Sequence, residues 1–380
     1  MALNVTQGAR TTLDFGTTIV RDVDRSVFLR EADTAPLTAF LKKLNRRRRV
    51  TNAKFEWIEK LIGTPTTNYT GVAETAPGTS ITVTTGDGGM FSPGDVIYVP
   101  RTGEQMLVTA VSGDTLTVTR GWGEVPAANL NTGDLLVYLA PANEENTGSP
   151  DGKYLNPVEK YNYTQIIKHA VEISRREAQT DRYDLKNPKM QELRRDAMLL
   201  HLEAIERMFL FGQAKRDTST GRLRDATRGI KSFIQTNVYS MGGTFTRAKL
   251  VDFLGGVFHY GGKNKVMFVG SNLLEAMDAD VFTTASVQVQ NKSTEFGIDV
   301  TRWISPYGTI DIVYHRVLSQ VHPDMGIVVD LDRVKYCYMQ DTQTRLNVQP
   351  NDLDGFKDEI ISDVGLQVMN EERHGIVTIS

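Results

Sequence analysis

Cysteine is almost absent from this chain of 380 residues, with Cys337 as its single example. One thiol cannot build an internal disulfide framework, and such scarcity fits a reducing compartment. The start, Met1-Ala2-Leu3-Asn4-Val5-Thr6, has neither a basic nor an apolar region, so no secretory signal is expected. No apolar run approaches the roughly 18 residues a membrane span needs. An excess of one charge is missing too. Lys and Arg number 43 against 46 Asp and Glu, a net −3, which argues against nucleic-acid binding over the whole surface. Apolar residues at 40% and charged residues at 23% describe an ordered globular chain rather than a disordered one. The expectation is a soluble protein made in the cytoplasm, long enough for two or three domains.

Catalytic signatures are equally sparse. Gly261-Gly262-Lys263-Asn264 is the strongest nucleotide-site candidate. A phosphate-binding loop needs a glycine where Val257 stands and a hydroxyl where Asn264 stands, so an ordinary turn is the better reading. His169, His201, His259, His315, His322 and His374 show no metal-ligand spacing. His201 has Glu203 and Glu206 nearby in sequence, but helical spacing does not bring all three together. No Gly-x-Ser-x-Gly elbow occurs, and Cys337 between Tyr336 and Tyr338 reads as a packed thiol in a strand. No catalytic residue, metal ligand or cofactor is expected, and the chain is not read as an enzyme.

What the chain does contain is a long frame between Tyr161 and Ile230. From Tyr161 to Ser174 residues alternate, with Tyr161, Tyr163, Ile167, Val171 and Ile173 on one face and Asn162, Thr164, Lys168, Glu172 and Ser174 on the other. Fourteen extended residues would reach about 46 Å. Asn187-Pro188 then offers a helix start, and Gly212 a stop. Between them Met190, Leu193, Ala197, Leu200, Ala204, Met208 and Phe211 recur at steps of three and four. Met190, Leu193, Leu200, Met208 and Phe211 are the expected core face of this helix, and Glu203 and Arg207 an exposed i,i+4 pair. A helix of about 25 residues spans roughly 38 Å. Such a pair of elements suits a building block better than a pocket.

Around the frame, residues 1–50 read as an arm in which Phe28, Leu37, Phe40 and Leu41 supply apolar groups to lie on something else. Lys54–Ile62, with Phe55 and Trp57 on one face, is a strand matched to Tyr161–Ser174. Residues 79–140 hold five short β runs: Ile81–Val83, Val96–Val99, Met106–Val108, Leu116–Val118 and Leu135–Tyr138. Gly-Asp turns separate them, as expected of a small barrel or sandwich. Asn143–Pro150 reads as a linker. After the long helix come helices at Phe245–Phe258 and from Ser271, and strands at Val266–Val269, Ile310–Tyr314, Gly326–Val329, Val334–Met339, Lys357–Val368 and Gly375–Ile379.

One charge cluster stands apart: Lys42, Lys43, Arg46, Arg47, Arg48 and Arg49. Arginine forks suit phosphate, so nucleic-acid contact is one reading. Pairing with acids, in this chain or a neighbouring subunit, is a second; a solvated turn is the third.

The order of these parts resembles the major capsid proteins of tailed bacteriophages, the Hong Kong ninety-seven fold, in a branch with a β insertion in the extended loop. The resemblance rests on Ala35-Pro36-Leu37-Thr38-Ala39-Phe40-Leu41, Phe55-Glu56-Trp57-Ile58, Phe91-Ser92-Pro93-Gly94-Asp95, Val118-Thr119-Arg120-Gly121, Tyr163–Ile166, Glu172-Ile173-Ser174, Leu202–Glu206 with Gly212, and Arg228-Gly229-Ile230. Each piece is short; their order and spacing over nearly the whole chain carry the likeness.

It implies an α+β fold with an N-terminal arm (1–50), an extended hairpin (51–78 and 141–174) and an inserted barrel-like β module (79–140). It also implies a peripheral domain (175–235 and 331–380) with a spine helix at 187–212, and an axial domain (236–330). The implied function is a shell of hexamers and pentamers around double-stranded phage DNA in a virion assembled in the bacterial cytoplasm. The implied partners are copies of the chain, a separate scaffolding protein, a portal and non-specifically held DNA, with no membrane. Cross-linking through Lys60 is not expected. The competing readings are a tail or decoration protein attached through 79–140, and an enzyme with a pocket the sequence does not advertise.

Overall fold

The computed structural model describes residues 35–60, 65–74, 76–146, 148, 152–154, 156–180, 189–283, 290–295 and 298–379. Most of the expected arm (residues 1–34) and the Asn187-Pro188 helix start lie outside the described residues. The described part of that arm is no arm. Helix α1 (Pro36–Lys43) has proline at its start, which fixes a helical φ. It buries Leu37, Phe40 and Leu41 in the main core. Strand β1 (Arg47–Arg49) and strand β2 (Lys54–Glu59) follow. In β2 the alternation is as the sequence suggests, with Phe55 and Trp57 buried and Glu56 exposed.

Residues 58–158 form a compact unit of their own. It holds β3 (Thr66–Asn68), β4 (Ser80–Thr82), β5 (Asp95–Tyr98), β6 (Gln105–Ser112), β7 (Thr115–Thr119) and β8 (Leu135–Pro141). The five β runs read from the sequence are five of these strands. The sixth, β3, escapes pattern reading because Thr66-Thr67-Asn68 contains no apolar residue. The spatial order is β3-β8-β5-β6-β7-β4. The two outer strands then meet: Tyr69 bridges Val83, and the Thr70 N–H donates to the Thr82 carbonyl at 2.9 Å. The sheet therefore closes on itself, and Ile81, Ile97, Met106, Leu116 and Leu136 fill it. Gly113 (φ 59°) makes the tight β6–β7 turn that a side chain would resist. The barrel thus extends beyond 79–140 at both ends, and the hairpin expected over 51–78 and 141–174 is correspondingly shorter.

The rest of the chain builds one further compact unit with residues up to Trp57. The expected fourteen-residue strand is two: β9 (Val158–Tyr163), which pairs with β2, and β10 (Gln165–Ser174). Thr164 breaks the run, its N–H donating to the Ala53 carbonyl at 2.8 Å. Helix α2 (Arg175–Gln179) and helix α3 (Lys189–Phe211) come next. The short strands β11 (Lys215–Asp217) and β12 (Arg224–Ala226) make a hairpin before helix α4 (Ile230–Phe233). They are followed by β13 (Val238–Ser240), α5 (Arg247–Phe258), β14 (Asn264–Val269) and α6 (Ser271–Thr283). Then come β15 (Gln290–Glu295), β16 (Ile298–Ile304), β17 (Thr309–Tyr314) and α7 (Arg316–Val321). The chain ends with β18 (Met325–Val329), β19 (Val334–Arg345), β20 (Gly355–Val368) and β21 (Gly375–Thr378). Gly261-Gly262-Lys263 is a bend leading into β14.

Two sheets organise this unit. One has the order β1-β19-β20-β10, with β1 parallel to β19 and β10 antiparallel to β20 along all ten of its residues. The other has the order β13-β21-β18-β14-β17-β16-β15. Val266 and Phe268 of β14 point into the main core with α1 and α3, while Met267 and Val269 point into a second core under α5 and α6. Coverage on both faces explains the unbroken apolar run. The main core joins residues from α1, α3, β14, β18, β20 and β21. Two expected boundaries therefore fail. No break falls at 235/236 or 330/331, and β21 lies inside the seven-stranded sheet instead of returning to a 331–380 domain.

The core face of α3 also needs correction. Leu193 (38%) and Leu200 (55%) are exposed, while Met190, Met208 and Phe211 are only partly buried. Ala197, His201, Ile205, Glu206, Phe209 and Leu210 are the buried residues. Following apolar side chains missed this because the helix sinks a histidine and a glutamate. At its end, Gly212 packs backbone to backbone with Gly229, whose N–H donates to the Gly212 carbonyl at 2.9 Å. A Cβ on Gly229 would sit 2.7 Å from the Gly212 nitrogen.

Candidate functional site

The basic cluster begins in the last turn of α1 and ends in the edge strand β1. Lys42 lies 3.8 Å from Asp341 and over the Tyr336 ring at 5.0 Å. Arg46 pairs with Asp332, and Arg47 lies 3.8 Å from Asp341. Arg48 donates to the Gln367 side-chain oxygen at 3.0 Å, a neutral partner that leaves its charge unbalanced. Lys43 is exposed and makes a further interaction. Arg49 is exposed and has no ion-pair partner among the described residues. The structure thus ties Lys42, Arg46 and Arg47 to acids of the same chain. These pairs are half-exposed, worth at most about 1 kcal/mol each, so they orient the strand more than they stabilise it.

Beneath the cluster lies a polar hub the sequence reading did not single out. Glu206 of α3 is fully buried and accepts from the Leu37 N–H at 2.7 Å and the Thr38 N–H at 3.0 Å. Ala35 gives α1 no side-chain cap, so a carboxylate 168 residues away satisfies its orphan donors. His315 Nε2 lies 2.9 Å from Glu206, while His315 Nδ1 accepts from the Leu318 N–H at 3.3 Å and caps α7. That acceptor role puts the ring proton on Nε2, donating to Glu206. One carboxylate therefore holds three helices, α1, α3 and α7. The signal was available: Glu206 stands among Ile205, Phe209 and Leu210, a charge inside an apolar stripe.

A second connection joins α3 to the four-stranded sheet. His201 Nε2 contacts the Ser362 hydroxyl at 2.6 Å, Ser362 donates to Thr342 at 2.9 Å, and His201 Nδ1 meets His169 Nδ1 at 2.9 Å. Burial, then the neighbouring His169 and Lys42, lower the His201 pKa to about 4. Asn162, on the strand face opposite Tyr161 and Tyr163, is fully buried. Its amide donates to the carbonyls of Leu366 (2.6 Å) and Arg228 (3.0 Å), and its oxygen accepts from the Arg228 N–H at 2.7 Å. It fixes the Arg228-Gly229-Ile230 turn against β20.

Inside the barrel, Arg120 is buried between two acids. It donates to Glu104 at 2.8 and 2.9 Å, to Glu74 at 2.9 Å, and to the carbonyls of Gly78 and Ala128. Burial alone would raise the Glu104 pKa, but Arg120 and the N–H groups of Ala128 and Gly121 outweigh it and hold it below the usual range. The described residues contain no group of three or more His, Cys, Asp or Glu able to hold a metal, and no helix among them is long and apolar enough to cross a membrane.

The larger unit is a two-sheet framework braced by one long helix, with its buried polar groups spent on bracing helices. The fold is shared with the capsid chain of a native GTA particle (TM-score 0.51, 9% identity, 98% of this chain and 100% of that one). It is shared also with a chain of Mycobacterium phage Bobi (TM-score 0.51, 9% identity, 98% and 99%). Residues 5–379 match the SU10 major capsid protein family, and the chain belongs to it. A major capsid protein of Pseudomonas phage PaMx41 is 29% identical over 277 residues, 70% of this chain. That match spans 66% of the relative, slightly less than two thirds of its length.

Proposed function

We propose that this chain is the structural subunit of an icosahedral phage shell, assembling as hexamers and pentamers around double-stranded DNA. The observation that carries the reading is apolar exposure on the longest helix and on a strand paired along its full length: Leu200 on α3 (55%) and Ile166 on β10 (59%). Exposed apolar groups on such elements become contact points when another molecule covers them, and family membership supports a second copy as that molecule. Shell subunits need heterologous contacts whose rotation closes. The residues work as fasteners, not catalysts. Glu206 and His315 lock three helices, so strain at one interface passes through a single rigid unit.

The remaining assignments follow from the same reading. The barrel of residues 58–158 is an insertion in the extended loop. A separate scaffolding protein and a portal take part in assembly, which happens in the host cytoplasm. Arg48 and Arg49, the cationic groups of the basic strand without an ion-pair partner among the described residues, face packaged DNA or a neighbouring subunit. A wall of near-neutral charge encloses DNA without gripping it. The test is coexpression of the full chain with the neighbouring phage genes, followed by sedimentation and electron microscopy. Closed shells are expected. Tubes or isolated oligomers would favour a tail or decoration component instead, and turnover of a substrate by soluble oligomers an enzyme.

A further inference from the structure

The hairpin of β11 and β12 is an odd element for a well-packed unit. Its strands have three residues each and pair only with one another. An isolated two-stranded hairpin of this size is marginal in water. Its root is held: the Thr227 N–H donates to the Gln165 side-chain oxygen at 3.2 Å, and Arg216 stacks over the Tyr163 ring at 4.6 Å. Arg216 is also clamped to Asp225 at 2.9 and 2.8 Å. The tip is different. Residues 218–224 are all exposed, Leu223 at 56%; Arg224 stands opposite Asp217 across the hairpin, and neither Arg222 nor Arg224 has an ion-pair partner among the described residues.

At the other end of β10 lies a surface of opposite character. The loop joining β19 to β20 exposes Leu346, Val348 and Leu353, and β20 adds exposed Phe356 beside them. The loop carries Asp352 and Asp354 and no basic residue between 346 and 356. Its root is fixed where Gly355 pairs with Ser174 and where Asp354 meets Arg175 at 3.0 Å.

These two features cannot meet within one chain. The hairpin is rooted at Gln165 and the loop at Ser174, the two ends of β10, roughly 30 Å apart at the rise of a strand. The hairpin extends five residues from its root, about 16 Å. A basic apolar tip and an acidic apolar loop at opposite ends of one rigid sheet are the two halves of a head-to-tail contact.

We propose that the β11–β12 hairpin of one copy docks on the β19–β20 loop of a second copy, with Leu223 set among Leu346, Val348, Leu353 and Phe356 and with Arg222 and Arg224 against Asp352 and Asp354. The contact is heterologous, so it propagates from subunit to subunit. It rests on the shell reading for its partner, a second copy of this chain.

A reducible cross-link tests it in the full chain. Leu223→Cys and Leu353→Cys are surface changes, and the native Cys337 is buried with its thiol pushed up to about 12 by that burial, so it stays silent under mild oxidation. Oxidising the double variant should give a ladder of covalent multimers on a non-reducing denaturing gel, abolished by reductant and absent from either single variant. Charge reversal is the independent arm. Arg222→Glu should reduce assembly about fivefold, the effect of losing roughly 1 kcal/mol, and Asp352→Arg in the same chain should restore it. Shells on the grid without a ladder or charge rescue would overturn the contact and leave the shell reading intact. A ladder without shells would keep the contact and remove the shell reading. Neither ladder nor shells would remove both, and a covalent dimer from a single variant as abundant as the first rung of the double variant's ladder would show random collision and overturn the contact.

Discussion

Replacing Glu206 by alanine probes the hub that joins the three helices. The substitution leaves three buried donors without their acceptor: the Leu37 and Thr38 N–H groups and His315 Nε2. Each unsatisfied buried donor costs about 1–3 kcal/mol. Water entering the vacated space recovers part of that, so a loss of about 3–5 kcal/mol is expected, the range for breaking a buried charged contact. Glu206→Gln keeps one acceptor oxygen but turns an amide toward a donor, so about half the loss is expected. The assay is urea unfolding of the full chain followed through Trp57, which lies in the same core as Leu37 and Ile205. Trp122 reports separately on the barrel unit and should not shift. Limited proteolysis within Pro36–Lys43 should rise in parallel, because α1 loses the carboxylate that caps its first turn. An alanine variant within about 1 kcal/mol of the native chain, or equal effects of alanine and glutamine, would refute the reasoning.

Other changes have defined outcomes. His201 and His374 are held neutral by burial, with pKa lowered to about 4 and about 3. The unfolded chain takes up both protons near pH 6.5 while the folded chain does not, so stability present above pH 6.5 is lost as pH falls toward 4. Each histidine contributes about 1.4 kcal/mol per pH unit in that window; urea midpoints that stay level from pH 7 to pH 5 would contradict this. Gly229→Ala places a Cβ 2.7 Å from the Gly212 nitrogen and the Met208 carbonyl oxygen, and should cost about 1–3 kcal/mol by thermal unfolding. Arg120→Met leaves the buried acids Glu74 and Glu104 facing each other. Hydrogen exchange across residues 121–130 should accelerate, with unit-wide exchange in residues 159–380 unchanged.

The sequence shows some of this structure plainly and hides the rest for physical reasons. Short-range patterns survive: Phe55 and Trp57 share a buried face, Val266–Val269 is a doubly covered strand, and the five β runs form barrel strands with Gly113 at a turn. Long-range satisfaction is what pattern reading misses. Thr66-Thr67-Asn68 becomes a barrel strand only because its neighbours need a closing edge. Asn162 is buried because three carbonyl and N–H groups distant in sequence need an amide. Apolar periodicity led to Leu193 and Leu200 on α3, whereas the helix buries His201 and Glu206, whose partners come from other elements. The basic cluster was legible as a cluster, but the acids that hold it, Asp332 and Asp341, lie nearly 300 residues downstream. Under the shell reading, exposed Leu200 and Ile166 gain a purpose only outside a single chain.

The most direct test of that purpose is a cryo-electron microscopy reconstruction of particles formed by the full chain. The account predicts a closed icosahedral shell in which Leu200 and Ile166 are covered by neighbouring copies while α1, α3 and the four-stranded sheet keep the arrangement described above. Particles that never close, or a closed shell in which Leu200 and Ile166 remain open to solvent, would contradict it.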